Sequence, residues 1–152
     1  MRLRKSNRKI NQIILHSTAT PEGMEVDAKK ITTWHKHRGF ATIGYHYVVK
    51  LDGTIEEGRS IHDVGAHAKG YNRSSIGVVY VGGCDEDMKP KDTRTPEQEM
   101  ALANLLDSLM ELYPSASLHG HNEFAAKACP SFNVQKEYDF LINPKGEDEE
   151  EE

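Results

Sequence analysis

A chain of 152 residues, 37% hydrophobic and 28% charged, has the makeup of one globular domain with room for a sizeable core. Its formal charge of -5 is set by the terminal acids Glu147 to Glu152; without those six, 19 basic residues face 18 acidic ones, so the body is close to neutral and gives no ground for expecting nucleic acid. No run approaches the ~20 apolar residues of a membrane span, and Asn7, Arg8, Lys9, Asn11 and Gln12 interrupt any secretory apolar region of ~7–15 residues, so the chain is expected in the cytoplasm until something releases it. These shifts divide the chain into a basic arm (1–9), expected to fray, a body (10–144) and a disordered acidic tail (145–152).

Ile10 to Leu15 reads as an interior strand that delivers His16 to a sheet edge. After a loop with Pro21 and Gly23, Asp27 caps a helix reaching about Arg38, with Val26 and Ile31 placed for a hydrophobic staple and Gly39 as its stop. Tyr45 to Lys50 is aromatic and β-branched, and Asp52-Gly53 turns it into a return strand at Thr54 to Glu56. Beyond a loop carrying Gly65, His67 and Gly70, Ser75 to Val81 is nearly all apolar, as expected of a strand covered on both faces. Cys84 reads as a small buried hydrophobe.

Thr95, Pro96 and Gln98 form a capping box and first turn for the longest helix. Its core stripe is Leu102, Leu105, Leu106, Leu109 and Leu112, and Tyr113-Pro114 ends it. A short strand at Ala116 to His119 and a last helix near Val134 to Leu141 complete the chain. Strands alternating with helices, plus one hairpin, predict an α/β fold: a single domain with a mixed central sheet flanked by helices.

Chemistry concentrates in His121 to Pro130, which gathers an imidazole, the Lys127 ammonium and the Cys129 sulfur. A borderline-soft cation such as zinc takes N and S ligands, three from the protein where a fourth position is left to water. His16 is the best third donor, which predicts a metal hydrolase. Spacing does not choose between His119 and His121; alternation along an extended segment is expected to turn one of them inward. His35 and His37, two apart on a helix, point to different faces. The side chain of His46 is expected to face opposite Tyr45, toward the core.

Several blocks in order then show a resemblance: His16-x-Thr18-Ala19-Thr20, Trp34-His35, Gly44-Tyr45-His46-Tyr47, Gly65-Ala66-His67-Ala68 through Asn72 to Val78, and His121 with Lys127-Ala128-Cys129-Pro130. The chain resembles the zinc N-acetylmuramoyl-L-alanine amidases, in the phage lysozyme branch of a superfamily that includes the peptidoglycan recognition proteins. The resemblance implies one zinc per chain on His16, His121 and Cys129, with Tyr45 and Lys127 assisting cleavage of the amide between N-acetylmuramic acid and L-alanine. His67 and Asn72 are expected to contact substrate in the groove, with a loop hydrogen bond as the competing reading. Peptidoglycan is the expected substrate and a monomer the expected state. The rival classes are a non-cleaving muropeptide binder, a zinc peptidase cutting within the stem peptide, and an inhibitor of a partner such as phage RNA polymerase, which some phage amidases of this type bind.

Overall fold

The computed structural model describes residues 2–144; the expected acidic tail lies outside them. The central sheet contains β1 (Gln12–Ser17), β3 (Tyr47–Val49), β4 (Ile55–Glu57), β5 (Ser75–Tyr80) and β7 (Ser117–Gly120), in the order β4-β3-β5-β1-β7. β3, β5, β1 and β7 run parallel, while β4 returns antiparallel beside β3. The sheet is mixed, as the hairpin requires. Gly53, at φ 86°, makes the turn, and a Cβ there would sit 2.8 Å from the Glu97 carbonyl oxygen, so the hairpin tip docks closely on the second helix.

β5 and β1 occupy the middle of the sheet, and all six residues of β5 are buried. Burial on both faces is why that segment reads as an unbroken apolar run. On one face Ile13, Leu15, Tyr47, Val49, Ile76, Val78 and Tyr80 meet Leu102, Leu105, Leu106 and Leu109 of α2 (Pro96–Leu112). The other face is covered through Val48 and Val79 by Ile31 of α1 (Ala28–His37), joined by Val26. The Asp27 carboxylate accepts the Lys30 N–H at 2.8 Å, so cap and staple both form as the sequence indicates. Truncating one of the buried α2 leucines would cost ~2–5 kcal/mol, well above the ~1 kcal/mol of a single cap, so packing sets the position of this helix.

The α2 capping box is present, with Thr95 Oγ1 accepting from the Gln98 N–H and Gln98 Oε1 accepting from the Thr95 N–H, each at 3.0 Å. Gln98 does more than cap. It is fully buried, and its amide nitrogen donates to the carbonyls of Val81 at 2.9 Å and Val49 at 3.3 Å, satisfying acceptors at the ends of two parallel strands.

Four sequence expectations need revision. Thr20–Pro21 (β2), at the start of the stretch read as a loop, pairs with Gly83–Cys84 (β6), to which no element was assigned, as a separate parallel ribbon. Tyr45 and His46 lie before β3 rather than in it, although their carbonyls still accept the Arg59 and Gly58 N–H groups. The last helix is two short ones, α3 (Val134–Glu137) and α4 (Asp139–Ile142), interrupted at Tyr138, whose ring is buried and whose hydroxyl accepts from Arg94. Finally, Ser6 and Arg8 are not frayed: the Ser6 N–H donates to the Tyr113 hydroxyl at 2.7 Å, and the Arg8 guanidinium donates to the carbonyls of Ile61 and Ser75. No helix among the described residues is long and apolar enough to cross a membrane.

Two buried histidines act as backbone acceptors. His35 Nδ1 accepts the Gly44 N–H at 2.8 Å, and His46 Nδ1 accepts the Gly77 N–H at 3.0 Å while its Nε2 donates to the Asp63 carbonyl. Burial first, then neighbouring arginines, push both pKa values from 6.5 down to about 4. The unfolded chain therefore binds protons more readily, so the stability these groups contribute is complete above pH 6.5 and lost as pH falls toward 4. The Tm of metal-free protein should decline across that window, and a flat Tm from pH 7 to 4 would contradict this. Gln98→Ala should cost ~1–3 kcal/mol in denaturant unfolding, because the buried Val81 carbonyl loses its donor while that of Val49 keeps only the Val81 N–H, and turnover per folded molecule should stay unchanged.

Candidate metal centre

The β1–β7 ladder pairs Leu15 with Gly120, so His16 and His121 are the next residues along two adjacent parallel strands. Their ring centroids lie 4.6 Å apart. After Gly120 the chain enters a 3-10 turn, His121–Glu123, and a loop returns Cys129 to the end of β1. There the Cys129 sulfur accepts the Ser17 N–H at 3.2 Å and lies 3.7 Å from His16 Nδ1. One donor atom from each of His16, His121 and Cys129 falls within 4.8 Å of the others. Ideal tetrahedral bonds of ~2.1 Å to nitrogen and ~2.3 Å to sulfur place N and S about 3.6 Å apart, so the 3.7 Å separation fits a shared ion.

His119 is excluded for a reason the sequence reading misjudged. Residues two apart on a strand share a face, so alternation does not separate His119 from His121. Their partners do: His119 is engaged on both ring nitrogens, by Ser117 Oγ at 2.7 Å and Glu123 Oε1 at 2.8 Å, whereas the turn leaves His121 facing His16. Glu123 Oε2 accepts the Gly120 N–H at 2.8 Å, which closes the turn carrying His121.

Burial is the largest influence on the donors. It holds His16 well below the usual imidazole range, aided by His67, His121 and the charge of Lys127, and it lowers His121 with Lys127 again contributing. Both rings are therefore neutral, with lone pairs free to bind a cation. Burial pushes the Cys129 thiol up, while the Ser17 hydrogen bond and Lys127 pull it down. Deprotonation at this sulfur is thus coupled to cation binding.

The Tyr45 ring lies tilted against His16 and His35, with centroids 5.0 and 5.3 Å away, and burial raises its hydroxyl far above the tyrosine norm. Lys127 is exposed, two residues before the sulfur, and its charge is felt at all three donors. Both line a groove of about 740 Å³ that opens over His16, His121 and Cys129.

His67 and Asn72 also border this groove, but both ring nitrogens of His67 and the side-chain oxygen of Asn72 are engaged within the protein. His67 Nδ1 lies 2.8 Å from His16 Nε2 and its Nε2 lies 3.2 Å from Ser75 Oγ, so neither ring nitrogen is free for substrate. Asn72 Oδ1 accepts the N–H groups of His67 and Ala68, which is the loop bond the sequence left as the competing reading. Sequence reasoning missed Arg38, Phe40 and Phe124, which line the groove as well. Arg38 and Phe40 flank Gly39 just past α1, and a helix stop gave no sign that both side chains would turn toward the site.

Comparison with known proteins agrees with this geometry. A family model described as N-acetylmuramoyl-L-alanine amidase matches residues 6–132. The endolysin of Escherichia phage T7 is 43% identical over 132 residues, 87% of each chain, and that of Enterobacteria phage K11 is 43% identical over 126 residues, 83% of each. Among solved structures, N-acetylmuramoyl-L-alanine amidase LysC from Clostridium intestinale superposes with a TM-score of 0.77 at 32% identity, over 89% of this chain and 87% of that one. With the sheet, the groove and these matches in agreement, the chain belongs to the N-acetylmuramoyl-L-alanine amidase family and is an enzyme of that class.

Proposed function

We propose that the chain is a zinc-dependent peptidoglycan hydrolase that cuts the amide joining the lactyl group of N-acetylmuramic acid to L-alanine of the stem peptide, and that it serves a phage or prophage as an endolysin. The observation that carries this reading is the convergence of two imidazole nitrogens and one sulfur within 4.8 Å, on a groove that also holds Tyr45 and Lys127. When bound, a zinc ion supplies Lewis-acid polarisation of the scissile carbonyl and lowers the pKa of its water toward ~7.

The chain's own residues do the rest. His16 and His121, kept neutral by burial and by Lys127, hold the ion without competition from protons. Cys129 adds a softer donor, its thiolate steadied by the Ser17 N–H. Amide cleavage builds negative charge on the carbonyl oxygen, and the exposed ammonium of Lys127 supplies a donor to it from the groove lip. Tyr45 stays protonated across neutral pH and so acts as a hydrogen-bond donor toward the reacting groups. Arg38, Lys69 and Lys127 give the groove positive charge that suits stem-peptide carboxylates.

The complete donor set, with Lys127 beside it, speaks against a binding-only role. The same reading takes the protein as a monomer with one ion, released from the cytoplasm to reach the wall. Phage RNA polymerase is the alternative partner, which a pull-down decides. Mass spectrometry of digested sacculi should find stem peptides with a free L-alanine amino terminus; fragments cut inside the stem would indicate a zinc peptidase instead.

Chelation should abolish peptide release and added zinc restore it, with Cys129→Ser binding zinc far more weakly; full turnover in chelator would refute the metal mechanism. Lys127→Ala should lose about 10²–10³-fold in kcat while keeping its zinc, and a variant with wild-type turnover would remove Lys127 from the catalytic set.

A further inference from the structure

His67 lies outside the donor set, yet the fold makes room for it as carefully as for the ligands. A Cβ on Gly77 would lie 2.6 Å from two atoms of the His67 ring, and one on Gly65 would lie 2.7 Å from it, distances no real contact tolerates. Gly77 sits inside β5, in register with Ile14, and has no positive φ to explain a glycine. The missing side chain is the socket in which the His67 ring rests. Asn72 holds the loop that carries the ring, accepting from the backbone of His67 and Ala68 at 2.8 and 2.9 Å.

The hydrogen bonds from that socket have one consistent direction. His16 turns Nδ1 toward the Cys129 sulfur and Nε2 toward His67 Nδ1. A neutral imidazole carries one proton, so if Nδ1 gives its lone pair to a cation, Nε2 bears the hydrogen and needs an acceptor. His67 Nδ1, 2.8 Å away, is that acceptor, which puts the His67 proton on Nε2, where it donates to Ser75 Oγ. Ser75 is fully buried at the start of β5, so the chain of bonds is anchored in the sheet.

We infer that His67 is a positioning residue: held on Gly77 and anchored by Ser75, it fixes the tautomer of His16 and aims Nδ1 at the metal. The inference rests on the zinc reading above and assigns His67 to the support of a ligand rather than to substrate. Outer partners of this type typically carry 10–100-fold of metal affinity.

The test combines zinc affinity by chelator competition with nitrogen-15 histidine spectra of the zinc-free protein, for wild type, His67→Phe, His67→Asn and Gly77→Ala. Wild type should show His16 protonated on Nε2. His67→Phe should lose that single tautomer and bind zinc 10–100-fold more weakly, while His67→Asn, whose Oδ1 falls near the lost Nδ1, should retain most of the affinity. Gly77→Ala, which touches neither ion nor substrate, should reproduce the His67→Phe loss by evicting the ring. Wild-type affinity in folded His67→Phe, or His16 protonated on Nδ1 in wild type, overturns the inference. So does unchanged affinity with a raised KM, which returns His67 to the substrate. A wild type that binds no zinc refutes the metal reading instead, and the tautomer spectra then still decide the role of His67; should His67→Phe fail to fold, His67→Asn and Gly77→Ala carry the comparison.

Discussion

Everything at the candidate site depends on the register of one parallel ladder. Because Leu15 pairs with Gly120, His16 and His121 arrive side by side where β1 and β7 end. A slip of one residue would move every side chain of β7 to the opposite face and carry His121 away from His16. The register is fixed by burial on both sides of β1, whose Ile13, Ile14 and Leu15 are fully enclosed. The core is thus what aligns two donors, and the Ser17 N–H to Cys129 bond is what brings in the third.

A site so deep carries a cost in unsatisfied polar groups, and the sheet answers it with histidines that serve as acceptors. His35 takes the Gly44 N–H, His46 takes the Gly77 N–H, and His67 takes His16. Each is held neutral by burial, with pKa values pushed down to about 4, 4 and 3. Neutral rings are what this arrangement needs, since a protonated ring accepts nothing. Lys127, by contrast, is exposed at the groove, and its charge reaches all three donors.

Local signals carried much of this in the sequence. The Asp27 cap, the Thr95–Gln98 box with its leucine stripe and the Asp52-Gly53 turn are written in neighbouring residues, and the structure keeps all three. The donor set was legible as residue types near a strand end, and the family pattern chose His121 over His119. What stayed hidden were relations across the fold. Nothing near His67 says that it will lie on Gly77 and reach His16, 51 positions away. Gln98 looked like a cap alone because the carbonyls of Val49 and Val81 become its neighbours only once α2 packs. The break at Tyr138 likewise reflects a ring buried beside Arg94, a tertiary demand that helical periodicity does not register.

We propose that two nitrogens and one sulfur from distant parts of the chain share one ion. X-ray absorption at the zinc edge of the loaded protein reads that shell directly. A site built from His16, His121 and Cys129 should give a single sulfur at ~2.3 Å with nitrogen or oxygen neighbours at ~2.0–2.1 Å. A shell without sulfur, or one with two, would contradict it.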